Sequence, residues 1–209
     1  MNAAPAVTGS PALWFVSRGS GLALLVLLSV VIVLGVTTRT GAGPRHVARF
    51  VRAELHRTLA LFSVAFLLLH VATAILDPYV SIGWAATVLP FTSGYRAAAI
   101  GLGTLAVDLG GAVLLTSLIR RRLRYRTWRA IHWLAYLAWP AAFAHSLTAA
   151  SDLRIWWVAL IELACAAAVA TAILARLIHA GTHRPGSRPA AGLKPGTAGY
   201  LPARERTPS

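Results

Sequence analysis

Residues Glu54–Leu76 read ELHRTLALFSVAFLLLHVATAIL, and Trp128–Ala150 read WRAIHWLAYLAWPAAFAHSLTAA. Each is an apolar run long enough to cross a bilayer as a helix, which takes about 20 residues. Each also carries two histidines: His56 and His70 lie fourteen residues apart, His132 and His145 thirteen apart. The two runs share a layout. Arginine stands at the start (Arg52 and Arg57; Arg126 and Arg129), the first histidine sits beside it and the second lies deep inside. An aspartate follows seven residues later, Asp77 and Asp152. Ionisable or metal-binding side chains inside a span are costly and mark function. Four histidines in two matched positions point to two metal centres stacked across a membrane.

The rest of the chain agrees with a membrane setting. Of 209 residues 57% are hydrophobic and 12% charged, where a soluble domain carries about a quarter charged. Five runs are expected to span: Leu13–Val36, Glu54–Leu76, Ala97–Ile119, Trp128–Ala150 and Ile155–Ile178. The first has no basic leader and no small-residue cleavage pattern, so it reads as a retained span, not a signal peptide. The predicted fold is thus an all-α polytopic bundle of five transmembrane helices. Its divisions are a short extracytoplasmic segment (1–12), the membrane domain (13–178) and a Pro-, Gly- and Arg-rich disordered cytoplasmic tail (179–209).

The formal charge of +14 invites a nucleic-acid reading, but its distribution argues against one. Arginines crowd the first connection (Arg39, Arg45, Arg49), the third (Arg120, Arg121, Arg122, Arg124) and the C-terminal tail, whereas the second and fourth connections hold only Arg96 and Arg154. The positive-inside rule then places the N-terminus outside and the C-terminus in the cytoplasm of a plasma-membrane protein. Anionic lipid headgroups, not nucleic acid, are the expected partners of these cations.

With that topology the two histidine-bearing spans run parallel, and depth fixes the pairing. His56 meets His132 near the cytoplasmic face, and His70 meets His145 about 20 Å further out. One imidazole from each helix at each level is the axial set of a heme iron. Cys165 is the only cysteine, which excludes a Cys-x-x-Cys-His attachment and leaves non-covalent b-type heme. Zinc would need more ligands per level than two histidines supply. Phase is the difficult point. Fourteen residues bring His70 to within about 40° of His56, but thirteen leave His145 about 140° from His132 on an ideal helix. Pro140, between them, can kink or rewind the span, and helix tilt is expected to supply the rest.

Other residues carry weaker signals. Arg57 and Arg129 beside the inner level, and Arg96 before the third span, are candidates for pairing with heme propionates. Setting orientation explains the first two equally well. Phe62, Phe66, Trp139 and Phe143 fall between the histidine levels, where aromatic side chains serve as core or line the gap. Asp108 and Glu162 read as buried acids, for packing or protons. His46, His179 and His183 lie outside the spans and read as solvated bystanders. The segment Tyr79–Arg96 is expected to fold over the outer ends of the spans.

The pattern His56…His70 with Trp128-Arg129-Ala130-Ile131-His132…His145 resembles the ferric reductase-like transmembrane domain family over about residues 13–178. That family includes ferric reductases, NADPH oxidases and the heme-binding membrane subunit of a methionine-sulfoxide reductase system. Pro90-Phe91-Thr92-Ser93-Gly94-Tyr95-Arg96 and Leu76-Asp77-Pro78 resemble its actinobacterial members. The resemblance implies two heme b groups, and electrons passed from a cytoplasmic flavoprotein or quinol donor to an extracytoplasmic acceptor protein. Two departures matter. Many members have six spans where five are expected here, and no dinucleotide-binding fingerprint follows Ile178. A separate donor is therefore expected. The alternatives are a quinol-oxidising cytochrome b subunit of a larger complex, with Asp108, Glu162 or Tyr136 serving the quinol, and a heme-free membrane scaffold.

Overall fold

The computed structural model describes residues 11–40, 48–77, 82–149 and 155–182. Residues 1–10, the tail beyond 182, and His46, Asp152, Arg154 and His183 lie outside the described residues. Every regular element among those described is helical: α1 (Pro11–Thr40), α2 (Arg49–Leu76), α3 (Ala97–Leu118), α4 (Tyr125–His132), α5 (Ala135–Ala149) and α6 (Trp156–Thr182). Single 3₁₀ turns at Trp84–Thr87 and Arg120–Arg122 flank α3. Helices α1, α2, α3 and α6 are each long and apolar enough to cross a membrane. The chain is a multi-pass membrane protein.

The expected fifth continuous span is instead two helices. Trp133 and Leu134 break it, leaving α5 with 15 residues, about 22 Å and short of the hydrocarbon thickness. The backbone shows how. Trp133 N–H reaches Ala130 O (3.2 Å), Leu134 reaches Ile131 O (2.9 Å), Tyr136 reaches Trp133 O (3.0 Å) and Leu137 reaches Leu134 O (2.9 Å). These are i→i−3 bonds, and each residue wound this way advances about 20° more than in an α-helix. Four such steps supply about 80° of the roughly 140° by which His145 would otherwise miss the phase of His132. The rewinding was expected at Pro140, which lies within α5. It falls upstream, between Ala130 and Leu137, next to the carbonyl of Tyr136 that the proline leaves without its helical donor.

Helix α1 is the centre of the bundle. It packs along α2, α6 and α5, while α3 packs along α5. Helix α2 has no extensive packing against α3, α4 or α5. The two histidine-bearing segments therefore stand on opposite walls of a gap. Leu25, Trp139, Cys165 and Val169 form the buried core where α1, α5 and α6 meet, with Leu28, Ile32 and Phe143 against it. Trp139 stacks on Phe143 (ring centres 5.1 Å apart), and its indole N–H donates to Ser29 Oγ at 2.9 Å. Phe62 is exposed on the outside of α2, away from this core.

Three hydroxyls within the spans are satisfied by their own helix, as a medium without water favours. Ser29 donates to Leu25 O (2.8 Å), Ser63 to Leu59 O (2.9 Å) and Thr73 to Leu69 O (2.8 Å). Ser29 thus donates to its own helix and accepts from Trp139. Replacing Ser29 by alanine leaves the indole N–H without its acceptor and is expected to cost about 1 kcal/mol. Reversible unfolding in mixed micelles measures it, and an unchanged midpoint would show that the bond contributes nothing.

The described part of the segment before α3 is fixed against that helix. Thr104 donates to Ala86 O at 2.6 Å, and Phe91 sits where a side chain at Gly101 would project. Phe91 (φ 67°) and Arg96 (φ 42°) both adopt the left-handed backbone region, unusual for residues with a Cβ. Phe91 owes this to its seat on α3, and Arg96 to the turn that starts the helix.

Candidate metal centres

The four histidines face each other in two pairs across the gap. The rings of His56 and His132 have centres 6.3 Å apart, and those of His70 and His145 6.2 Å apart. These distances have a chemical meaning. Two imidazoles on opposite sides of one metal ion, each nitrogen about 2.0 Å from it and about 1.1 Å from its own ring centre, hold their centres about 6.2 Å apart. Direct packing or hydrogen bonding between the rings does not require that separation at both levels.

Three of the rings are oriented by the same device. His70 Nδ1 donates to Ser17 O (2.8 Å), His56 Nδ1 to Val31 O (2.9 Å) and His145 Nδ1 to Ala99 O (2.7 Å). A carbonyl can only accept, so Nδ1 carries the proton and Nε2 keeps its lone pair for a metal. Each accepting carbonyl stands four residues before a glycine, namely Gly21, Gly35 and Gly103. A Cβ tilts toward the N-terminus of its helix and covers the preceding turn; a glycine leaves the carbonyl there open to a second donor. The ring then occupies the vacant space. A Cβ built on Gly21 would lie 2.9 Å from the His70 ring, on Gly35 3.2 Å from His56, and on Gly103 2.8 Å from His145.

These glycines were not among the expected site residues. Their signal is plain in retrospect: Gly21 and Gly35 are fourteen residues apart on α1, as His56 and His70 are on the antiparallel α2. His132 is the exception. Its Nδ1 is buried without a hydrogen-bond partner, and its ring stacks instead on Trp128 (5.0 Å between centres).

A cavity of about 2080 Å³ runs between the walls and is lined by all four histidines. That is about twice the upper end of an ordinary pocket for one small ligand. Ser63 on α2, Leu28 on α1 and Trp139 on α5 line it between the two levels. Among the described residues, no three His, Cys, Asp or Glu side chains converge on a point. Two imidazoles per level suit a macrocyclic metal that brings its own in-plane ligands better than zinc.

Arginines stand at both ends of the cavity. Arg57 and Arg129 line the mouth of the cavity at the arginine-rich end, but Arg57 is 75% exposed and lies 4.0 Å from Glu54. Arg39 and Arg120 are the cations that bear on His132. At the other end Arg96 donates to Ala149 O (3.2 Å), as Arg18 does (3.4 Å). Both guanidinia thereby satisfy an orphan carbonyl at the C-terminus of α5. Arg18, not Arg96, lines the cavity and bears on both His70 and His145. Asp108, read as buried, is exposed on α3. Glu162 is buried and accepts from Ser146 (2.5 Å) next to His145.

The fold and these residues define a class: a membrane helix bundle built around two tiers of facing imidazoles. The chain belongs to the ferric reductase like transmembrane component family, whose model matches residues 20–143. The match takes in Gly21, Gly35, His56, His70, Gly103 and His132 and stops two residues short of His145, whose place rests on geometry. Neither a curated protein nor a solved structure matches the chain. The family is one of membrane electron-transfer components.

Proposed function

We propose that this protein is a diheme b-type cytochrome that carries single electrons across the plasma membrane. The donor is a cytoplasmic flavoprotein or quinol, and the acceptor an extracytoplasmic protein. One observation carries the reading: two imidazole pairs, one above the other, each open to the separation of a bis-histidine metal. His56 and His132 would hold the inner heme, and His70 and His145 the outer. Heme held there would supply reversible one-electron chemistry.

The chain's own residues do the remainder. Backbone carbonyls of Ser17, Val31 and Ala99 hold three rings in the tautomer that presents Nε2. Trp139, buried and fixed by Ser29, occupies the wall between the two levels with an apolar ring. Arg39 and Arg120 at one end, and Arg18 at the other, supply positive charge for acidic substituents of the ring. The arginine-rich end faces the cytoplasm by the positive-inside rule.

A quinol donor gains some support from Tyr136, whose hydroxyl accepts from Arg176 at 2.5 Å and so keeps its own hydrogen to donate. Asp108 is exposed on α3 and does not line the cavity. A heme-free scaffold fits poorly, because it leaves a cavity of about 2080 Å³ between helices, lined by four paired histidines, with no function.

Liposomes test the conduit. With ferricyanide trapped inside and an impermeant reductant added outside, heme-loaded protein is expected to reduce the trapped acceptor. His145→Ala is expected to fall to the rate of protein-free vesicles. Equal rates for both proteins would overturn the reading.

A further inference from the structure

His132 stands apart from the other three histidines in every respect that fixes a ligand. Its Nδ1 has no acceptor, although it is buried. None of the described glycines makes a seat for its ring. It is the last residue of α4, an eight-residue helix, and the chain turns immediately after it. The others lie within the continuous turns of α2 and α5. What orients the His132 ring is a stack. Trp128, one turn earlier, lies against it with the planes 26° apart, and the guanidinium of Arg120 lies over the same indole, 4.5 Å from its centre. Stacking limits tilt but leaves the ring freer to slide than a hydrogen bond at its far nitrogen does, and it adds nothing to the basicity of Nε2.

Resting on the diheme reading, we propose that His132 is the exchangeable axial ligand, so that the inner centre alone takes up small neutral ligands such as carbon monoxide when reduced. Trp128 and Arg120 are the positioning residues that decide how readily it does so. The exchange is balanced: one Nε2–iron bond breaks, one carbon–iron bond forms, and no electron or proton is transferred. At the outer level, His70 and His145 are each held by a carbonyl at 2.7–2.8 Å and seated on a glycine, so both rings are anchored at Nδ1.

Carbon monoxide difference spectra of the dithionite-reduced, full-length protein in detergent test this. The wild type is expected to bind carbon monoxide at one of its two hemes, slowly. Trp128→Leu is expected to speed that uptake at least about tenfold, the effect typical of losing an outer partner of a metal-bound histidine. Trp128→Phe, which restores an aromatic face, is expected to return it toward wild type, and Arg120→Gln, a change at an exposed residue, to fall between. In the His56→Ala, His132→Ala double variant, which lacks the inner heme, uptake is expected to vanish. Uptake at both hemes alike, or an unchanged rate in both Trp128→Leu and Arg120→Gln, would overturn the proposal. A protein that carries no heme overturns the diheme reading itself, whereas two hemes with no carbon monoxide uptake in any of these proteins overturns only the exchange at His132.

Discussion

Replacing His70 and His145 together by alanine is expected to remove one of the two proposed hemes and to leave the spectrum of the other unshifted. The expectation follows from the separation of the levels. The pairs stand about 20 Å apart along α2, and no histidine serves both. The His56→Ala, His132→Ala variant is expected to do the converse, and a variant lacking all four to carry none. The helices themselves should survive, since their buried core is built on Leu25, Trp139, Cys165 and Val169 and not on the histidines. Pyridine hemochrome measured against protein mass reads the stoichiometry. Loss of both hemes from either double variant, with the helical signal intact, would mean that the levels are not independent.

Adding a single methyl group to a glycine is expected to have nearly as large an effect. Gly21→Ala and Gly103→Ala would put a carbon 2.8–2.9 Å from the rings of His70 and His145, closer than van der Waals contact allows. The ring must move, and in moving it loses its bond to Ser17 O or Ala99 O. Both changes should therefore weaken retention of the outer heme by about tenfold or more and leave the inner one alone. Gly35→Ala, at 3.2 Å from His56, requires a smaller shift and should perturb the inner heme without expelling it. Gly83 has nothing within reach of a Cβ, does not line the cavity and has backbone angles (φ −61°, ψ 147°) that alanine adopts freely. Alanine there is expected to leave heme retention unchanged. Heme loss during gel filtration, followed by absorbance, separates these cases. Equal retention in Gly103→Ala and Gly83→Ala would show that the glycine seats do not matter.

The helical membrane architecture was legible in run length and charge because those properties are set by the bilayer and not by tertiary detail. So was the pairing of the histidines by depth, since two parallel spans with near-equal spacing allow no other. The break at Trp133–Leu134 was not legible. Pro140 announces a disturbance, but where the backbone rewinds depends on which carbonyls can find i→i−3 donors upstream, and no residue type marks Trp133 or Leu134 as the place. Side-chain direction was lost in the same way. Arg57 and Arg39 look equivalent as sequence neighbours of the inner level, yet Arg57 turns to Glu54 and solvent while Arg39 bears on His132. Asp108 looked buried because it lies mid-span among small residues; the face of α3 that it occupies is set by packing on α5, which the local pattern does not encode. Gly21 and Gly35 could have been found from their spacing of fourteen once α1 and α2 were taken as antiparallel neighbours.

All of these expectations depend on iron being held between facing imidazoles. Electron paramagnetic resonance of the oxidised, purified protein, quantified against its heme and protein content, addresses that most directly. Two low-spin ferric bis-histidine signals per chain are the predicted result. A single signal, a high-spin signal for both centres, or heme content unaltered when His56, His70, His132 and His145 are all replaced by alanine would contradict it.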